Sequence, residues 1–282
     1  MTAYIFPGQG SQSKGMGEGL FKEFPEITTQ ADSILGFSIE KLCLEDTQQQ
    51  LNQTQYTQPA LFTVGVLSYL KKIKESGKTP NYVAGHSLGE YNALFAAGVF
   101  NFETGLKLVK KRGELMSQIQ GGGMAAIVGL GEDVVTSLLK NSGLQNVFIA
   151  NFNSYSQFVI SGEMNQVASA QKIFEDAGAS LVVPLKVSGA FHSPFMNVAE
   201  KQFDLYLQNS IFLPPSIPVY SNFSANLYDA TSVQKNLSHQ ISHPVKWTQI
   251  IKQLLNKSID NFEEVGPGKV LTGLVRRIKN GQ

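Results

Sequence analysis

A serine between two glycines, Gly85-His86-Ser87-Leu88-Gly89, stands where the apolar run Tyr82-Val83-Ala84 gives way to a helical pattern beginning at Glu90. Small residues on both sides let a strand turn sharply into a helix. Such an elbow holds the serine at a strained φ/ψ, with Oγ beside the helix N-terminus. Free N–H groups there favour developing negative charge. The plainer alternative is a tight turn with an inert serine. A serine nucleophile needs a base. His86 is adjacent in sequence, so its side chain diverges from Ser87 Oγ and reads as structural. His192 lies in Ser188-Gly189-Ala190-Phe191-His192-Ser193-Pro194, an irregular small-residue junction of the kind that carries catalytic side chains. Its competing reading is a histidine satisfied structurally. No acid is placed as a third member, which leaves a backbone carbonyl to orient Nδ1–H. Without a carboxylate partner, His192 is expected to work near its ordinary pKa of ~6.5.

Arg112 is the most informative charge. In the helix expected from Glu103 to Gln118, Leu108, Val109, Leu115 and Met116 form an apolar stripe, and Arg112 falls on the same face. Lys110 and Lys111 point elsewhere and read as solvated. A core-facing arginine needs an anionic partner or is costly to bury, and no Asp or Glu shares its stripe. A substrate carboxylate fits, because guanidinium binds one through two parallel hydrogen bonds; snorkelling to solvent is the alternative. Gln9, in Pro7-Gly8-Gln9-Gly10, follows the first strand. Loops after the strands of an open α/β sheet converge on its ligand crevice, where the Gln9 amide can join that of Leu88 as an oxyanion pair.

These groups need a scaffold. The chain has 282 residues, 42% hydrophobic and 16% charged, with a net charge of +1. At ~150 residues per domain this is two units, or one large α/β domain with an insertion. A charge near zero excludes a general polyanion or nucleic-acid binder. The single Cys43 excludes a disulfide framework and a Cys-based zinc site. The four histidines offer only an i,i+4 pair, His239 and His243, with Pro244 against a continuing helix. No targeting segment is read at the start. The longest apolar stretches, such as Ala93–Phe100, fall far short of the ~20 residues of a membrane span. The expectation is a soluble cytoplasmic protein with no bound metal.

Tyr4-Ile5-Phe6 reads as a buried strand. Residues 45–58 are Gln-rich and read as a solvated loop. Pro59 then opens a helix over Ala60–Lys74. Gly121-Gly122-Gly123 closes the helix of Arg112. The pattern that follows is strand Ala125–Leu130, helix Glu132–Lys140, strands Val147–Asn151 and Gln157–Ser161, helix Asn165–Ala177 and strand Leu181–Lys186. This βαββαβ order is the ferredoxin-like unit, here an insertion over 124–187 between the two parts, 1–123 and 188–282, of a larger α/β unit. After it come a helix over Pro194–Gln208, a strand at Val219-Tyr220-Ser221, a helix over Thr248–Asn256, a strand over Asn261–Val265 and a last helix from Lys269.

Six segments in order, Phe6-Pro7-Gly8-Gln9-Gly10-Ser11-Gln12, Thr57-Gln58-Pro59-Ala60, Gly85–Glu90, Arg112-Gly113-Glu114-Leu115-Met116, Ala190-Phe191-His192-Ser193 and Glu264–Leu271, resemble the malonyl-CoA:acyl carrier protein transacylases over essentially the whole chain. The resemblance implies an α/β-hydrolase-like core with a ferredoxin-like insertion, and ping-pong transfer through a malonyl-serine ester. It makes Ser87 the nucleophile, His192 the base, Gln9 and Leu88 the oxyanion-hole amides and Arg112 the clamp on the malonyl carboxylate. Gln240 matches the residue whose backbone carbonyl holds the histidine. Gln58 and Met116 match pocket positions, and Phe191, beside the base, is expected to wall off an α-methyl group. The implied partners are malonyl-CoA and an acyl carrier protein, with the CoA thioester a substrate and no cofactor. Compact length, Gly121–Ala126 and Gly189–His192 most resemble the free-standing acyltransferases of polyketide synthases. Gly189 departs from the His-Ala-Phe-His pattern of modular malonyl acyltransferases. A housekeeping fatty-acid transacylase, a hydrolase of carrier thioesters and a non-catalytic carrier-docking module are the alternatives. A thioester hydrolase would not need the arginine clamp. A basic patch for an acidic carrier is expected around Arg276, Arg277 or Lys279.

Overall fold

A computed structural model describes residues 1–282. Strand β1 (Thr2–Phe6) buries Ile5 and Phe6 completely. Helices α1 (Leu20–Glu23), α2 (Pro25–Leu35), α3 (Ile39–Leu44) and α4 (Thr54–Ser76) lead to β2 (Tyr82–Gly85), α5 (Gly89–Ala96) and α6 (Phe102–Gln118). Next come β3 (Gly122–Val128), α7 (Glu132–Asn141), β4 (Val147–Ser154), β5 (Gln157–Glu163), α8 (Met164–Asp176) and β6 (Leu181–Pro184). The chain ends with α9 (Asn197–Leu207), α10 (Val233–Gln240), α11 (Trp247–Asn256), β7 (Asn261–Glu264) and α12 (Val270–Lys279). No helix is long and apolar enough to cross a membrane.

The strands form two sheets. The first is parallel, in the order β2-β1-β7, with Phe6 opposite Gly85 and Ile5 opposite Glu264. This register ends the three strands at one edge, so the loops after Phe6, Gly85 and Glu264 meet there. The second is antiparallel, in the order β4-β5-β3-β6. The strand period of two sends Ala125 and Ile127 into a core with Val135 and Phe174 of α7 and α8. It turns Met124 and Ala126 to the other face, toward the end of the parallel sheet.

Several elements differ from expectation. The Gln-rich stretch is not a solvated loop throughout, since α4 begins at Thr54 and buries Thr57 and Gln58. Thr57 Oγ1 donates to the carbonyls of Leu51 and Gln53, which anchors this first turn. Pro59 therefore lies inside the helix rather than opening it. At the sixth helical position it lies past the first turn, so the helix forgoes one regular backbone bond there. Gly122 and Gly123 belong to β3, paired with Glu163 and Gly162. Val219 and Tyr220 make only isolated bridges, to Val83 and Leu227, so no fourth strand joins the sheet beside β2. Pro194–Met196 is a 3₁₀ turn ahead of α9. Lys110 is not free in solvent, because its Nζ donates to the Ile34 carbonyl at 3.1 Å.

Candidate active site

The turn after β2 is as sharp as its glycines require. A Cβ on Gly85 would lie 1.9 Å from the Gly89 backbone, and one on Gly89 would lie 2.0 Å from Phe6 O. Ser87 has φ 51°, in the left-handed region that costs a non-glycine residue about 1–2 kcal/mol. Its backbone is braced: its N–H donates to Asn222 Oδ1 at 2.6 Å, and its carbonyl accepts Gln240 Nε2 at 2.9 Å. His86 turns away and bonds Asn153 Oδ1 of β4 through Nε2 at 2.8 Å, which ties the elbow to the antiparallel sheet.

Ser87 Oγ lies 2.7 Å from His192 Nε2. His192 Nδ1 lies 2.7 Å from the carbonyl of Gln240, at the end of α10. A carbonyl only accepts, so the proton sits on Nδ1 and the Nε2 lone pair faces the serine hydroxyl. His192 also has positive φ, 56°, and its own N–H is held by Ile241 O at 3.1 Å. The expected ordinary pKa does not survive burial. Burial and the Arg112 charge lower the imidazole to about 3. The base is neutral across the physiological range.

Arg112 is 1% exposed, so it does not snorkel. Nη1 donates to Gln58 Oε1 at 2.7 Å, and Nη2 donates to Gln240 Oε1 at 2.8 Å and to Ser87 Oγ at 3.2 Å. Its Nε has no partner, and the guanidinium stands 5.6 Å from the centre of the Tyr91 ring. The arginine is held by neutral amides and makes no ion pair. Gln58 is steadied in turn by Met116, whose Sδ lies 3.5 Å from Nε2.

A cavity of about 260 Å³ opens over these groups, between the end of the parallel sheet and the free face of the antiparallel one. Gln9, Ser87, Leu88, Arg112, Met116, Phe191 and His192 line it from the larger part of the chain. Met124, Asn151, Asn153 and Val159 face them from the antiparallel sheet, and Val270, Leu271 and Leu274 of α12 close the rim. Neither the Gln9 nor the Leu88 amide donates to an acceptor within the chain. A Cβ on Gly8 would meet His86 O at 2.3 Å, so this loop rides directly on the elbow. Gly189 packs 2.7 Å from Ile119 O at its Cβ position, which leaves no room there for a histidine. No group of three or more His, Cys, Asp or Glu is disposed to hold a metal ion.

The structure thus gathers every candidate residue around one cavity or directly behind it, Gln58 and Gln240 being fully buried behind Arg112. Three others escaped the sequence reading. Glu90 is wholly buried and accepts hydrogen bonds from the Tyr228 hydroxyl, Gln240 Nε2 and, at 3.1 Å, the Asn222 N–H. Burial pushes its carboxyl up to about 7, against the pull of those bonds and of Arg112. A carboxylate in a helix buried on almost every side was a signal in the sequence. Asn222 and Tyr228, in an irregular segment, gave none.

The acyl transferase domain family matches residues 3–280 of the chain. A polyketide biosynthesis malonyl CoA-acyl carrier protein transacylase of Bacillus subtilis, PksC, is 56% identical over 280 residues, 99% of this chain and 97% of that protein. A malonyl CoA-acyl carrier protein transacylase of the same bacterium is 38% identical over 286 residues, 98% of this chain and 90% of that one. The crystal structure of a malonyl CoA-acyl carrier protein transacylase from Burkholderia pseudomallei matches with a TM-score of 0.97 at 46% identity, covering 100% of this chain and 99% of that one.

Proposed function

Because the chain belongs to the acyl transferase domain family, we propose that it moves a malonyl group from malonyl-CoA to the phosphopantetheine thiol of an acyl carrier protein, through a malonyl ester on Ser87. One observation carries this reading. Ser87 Oγ lies within hydrogen-bond reach of both His192 Nε2, at 2.7 Å, and Arg112 Nη2, at 3.2 Å. Nucleophile, base and a cation for the free carboxylate meet at one oxygen.

In the first half-reaction Ser87 Oγ attacks the thioester carbonyl and passes its proton to His192 Nε2. The tetrahedral oxyanion is received by the Gln9 and Leu88 amides. The C–S bond then breaks, and CoA leaves as a thiol with the proton returned by His192. In the second half the carrier thiol gives its proton to His192 and attacks the ester. Collapse breaks the C–O bond and reprotonates Ser87. Arg112 holds the malonyl carboxylate throughout, with Gln58 and Met116 fixing the guanidinium from behind. Phe191 walls the space beside the base. The CoA thioester is a substrate, and the route calls on no further cofactor.

The pathway is polyketide biosynthesis, with the enzyme acting in trans on carrier domains. The identity of 56% to a polyketide transacylase, against 38% to the other transacylase of the same bacterium, favours this over a housekeeping fatty-acid role. A thioester hydrolase has no use for a buried arginine at the nucleophile. The elements support an α/β-hydrolase-like core over 1–123 and 188–282 with a ferredoxin-like unit over 124–187, whose sheet order β4-β5-β3-β6 suits that fold. The reaction belongs to the cytoplasm.

Mass spectrometry of the protein incubated with malonyl-CoA, with and without a holo carrier, tests the assignment. The expected result is a malonyl adduct on Ser87, absent in a folded Ser87→Ala variant, that moves to the carrier. Release of free malonate alone means a hydrolase. No adduct in the wild type means no transferase.

A further inference from the structure

Ser87 is held by its backbone from both sides, through Asn222 on its N–H and Gln240 on its carbonyl. Asn222 Nδ2 also donates to Gly85 O at 2.7 Å, so one side chain brackets the turn on either side of His86. Both holders are held in turn by Glu90. Its Oε1 takes the Asn222 N–H and the Tyr228 hydroxyl, and its Oε2 takes Gln240 Nε2. An ionised carboxylate accepts only, and a guanidinium donates only. Gln240 must therefore present Nε2 to Glu90 and Oε1 to Arg112, the orientation observed. The backbone carbonyl of the same Gln240 receives His192 Nδ1–H. Nucleophile and base are thereby referred to one buried carboxylate, at the start of the helix on which the elbow ends.

We propose that Glu90 and Asn222 are paired positioning residues for the transfer reaction: Asn222 fixes the left-handed Ser87 backbone, and Glu90 fixes Asn222 and Gln240 against each other. The inference rests on the transferase reading above. In Glu90→Gln the new amide NH2 faces a donor whichever way it turns, the Asn222 N–H at one position or Gln240 Nε2 at the other. In Asn222→Ala the Ser87 N–H loses its acceptor, and the elbow loses its brace.

Single-turnover acylation at pH 8, above the value of about 7 at Glu90, separates the rate constant from the amplitude. The amplitude counts chains that fold and react; the rate constant reads the geometry of those that do. Each variant is expected to lose about tenfold in rate constant, the scale of one lost hydrogen bond to the charged Glu90 or of the two neutral ones that the Asn222 side chain makes, with an amplitude near that of the wild type. Acetyl-CoA should lose by a similar factor, because the pair acts on the nucleophile and base rather than on the clamp. The double variant should be little slower than the slower single one, since both lie on one chain of contacts. A wild-type rate constant with reduced amplitude marks a purely structural role and overturns the pairing, as do losses that multiply in the double variant. A wild type that forms no Ser87 ester overturns the transferase reading and the pairing together. Should Glu90→Gln not accumulate as folded protein, Asn222→Ala carries the same two readouts.

Discussion

Arg112→Ala separates substrate recognition from everything else the arginine touches. The side chain is buried and donates to two amide oxygens, Gln58 Oε1 and Gln240 Oε1, and to Ser87 Oγ. Its loss orphans the two amide acceptors and opens a cavity, and those costs fall on any acyl substrate alike. The loss peculiar to malonyl is the carboxylate partner. A hydrogen bond to a charged group contributes about 1.5–3 kcal/mol, so losing even one such bond slows malonyl transfer by about 10- to 100-fold. A bidentate clamp would lose more. Acetyl-CoA carries no such group. The measurement is kcat/KM for malonyl-, methylmalonyl- and acetyl-CoA in the wild type and in Arg112→Ala, read as ratios so that shared damage cancels. The malonyl-to-acetyl ratio should collapse by at least about tenfold. Arg112→Lys, which keeps the charge but not the planar fork, should fall between the two. Methylmalonyl-CoA should be the poorer diacid in the wild type on the proposal that Phe191, which lines the cavity, walls off an α-methyl group. An equal loss for malonyl and acetyl would make Arg112 a structural residue and remove the main physical support for a diacid substrate.

The His192 value of about 3 predicts an unusual pH profile. A base with a depressed pKa stays neutral until the pH falls through that value, so in Glu90→Gln, which removes the carboxyl that titrates at about 7, the rate of Ser87 acylation should show no limb near pH 6.5; a rate that halves there would show an imidazole of ordinary basicity. His192→Ala should slow acylation by roughly 10²–10⁴-fold, seen in the rate of ester formation by rapid-quench mass spectrometry. On the carrier side, Lys279 is turned to its own chain, with Nζ 2.6 Å from Asp260 O, which leaves exposed Arg276 and Arg277 of the expected basic patch. Reversing both to Glu should raise the KM for an acidic carrier and flatten its salt dependence; a carrier-dependent rate indifferent to added salt removes the patch.

The parts legible in the sequence were those whose signal is local. Apolar β2 running into Gly85-His86-Ser87-Leu88-Gly89 announces an elbow, because a Cβ on either glycine would lie about 2 Å from neighbouring backbone. Arg112 announced itself as a charge on an apolar stripe, and the βαββαβ order marked out the unit that holds the antiparallel sheet. What stayed hidden depends on partners far along the chain. Gln58 is placed by the resemblance alone; its own surroundings read as a Gln-rich loop, and only Arg112, 54 residues away, shows what it holds. Glu90 meets Gln240 across 150 residues. Short helices such as α1 and α3 lack the length for a periodic signal. The His192 pKa was misjudged because a missing acid was counted while burial and a neighbouring cation were not.

That cation gives the site a further property. Arg112 lowers the basicity of His192, second only to burial, and both lie on Ser87 Oγ. Without substrate, an imidazolium on His192 would face an uncompensated guanidinium. A malonyl carboxylate on Arg112 cancels that charge, and by Coulomb's law the cancellation favours a proton on His192 just when Ser87 must surrender one. The carboxylate would then act in the rate as well as in binding. At saturating thioester, where binding differences vanish, malonyl should still acylate Ser87 faster than acetyl. In Arg112→Ala the two maximal rates should converge, because the base no longer senses the acyl group. A malonyl advantage confined to KM, with equal maximal rates in the wild type, would refute the coupling and reduce Arg112 to a clamp alone.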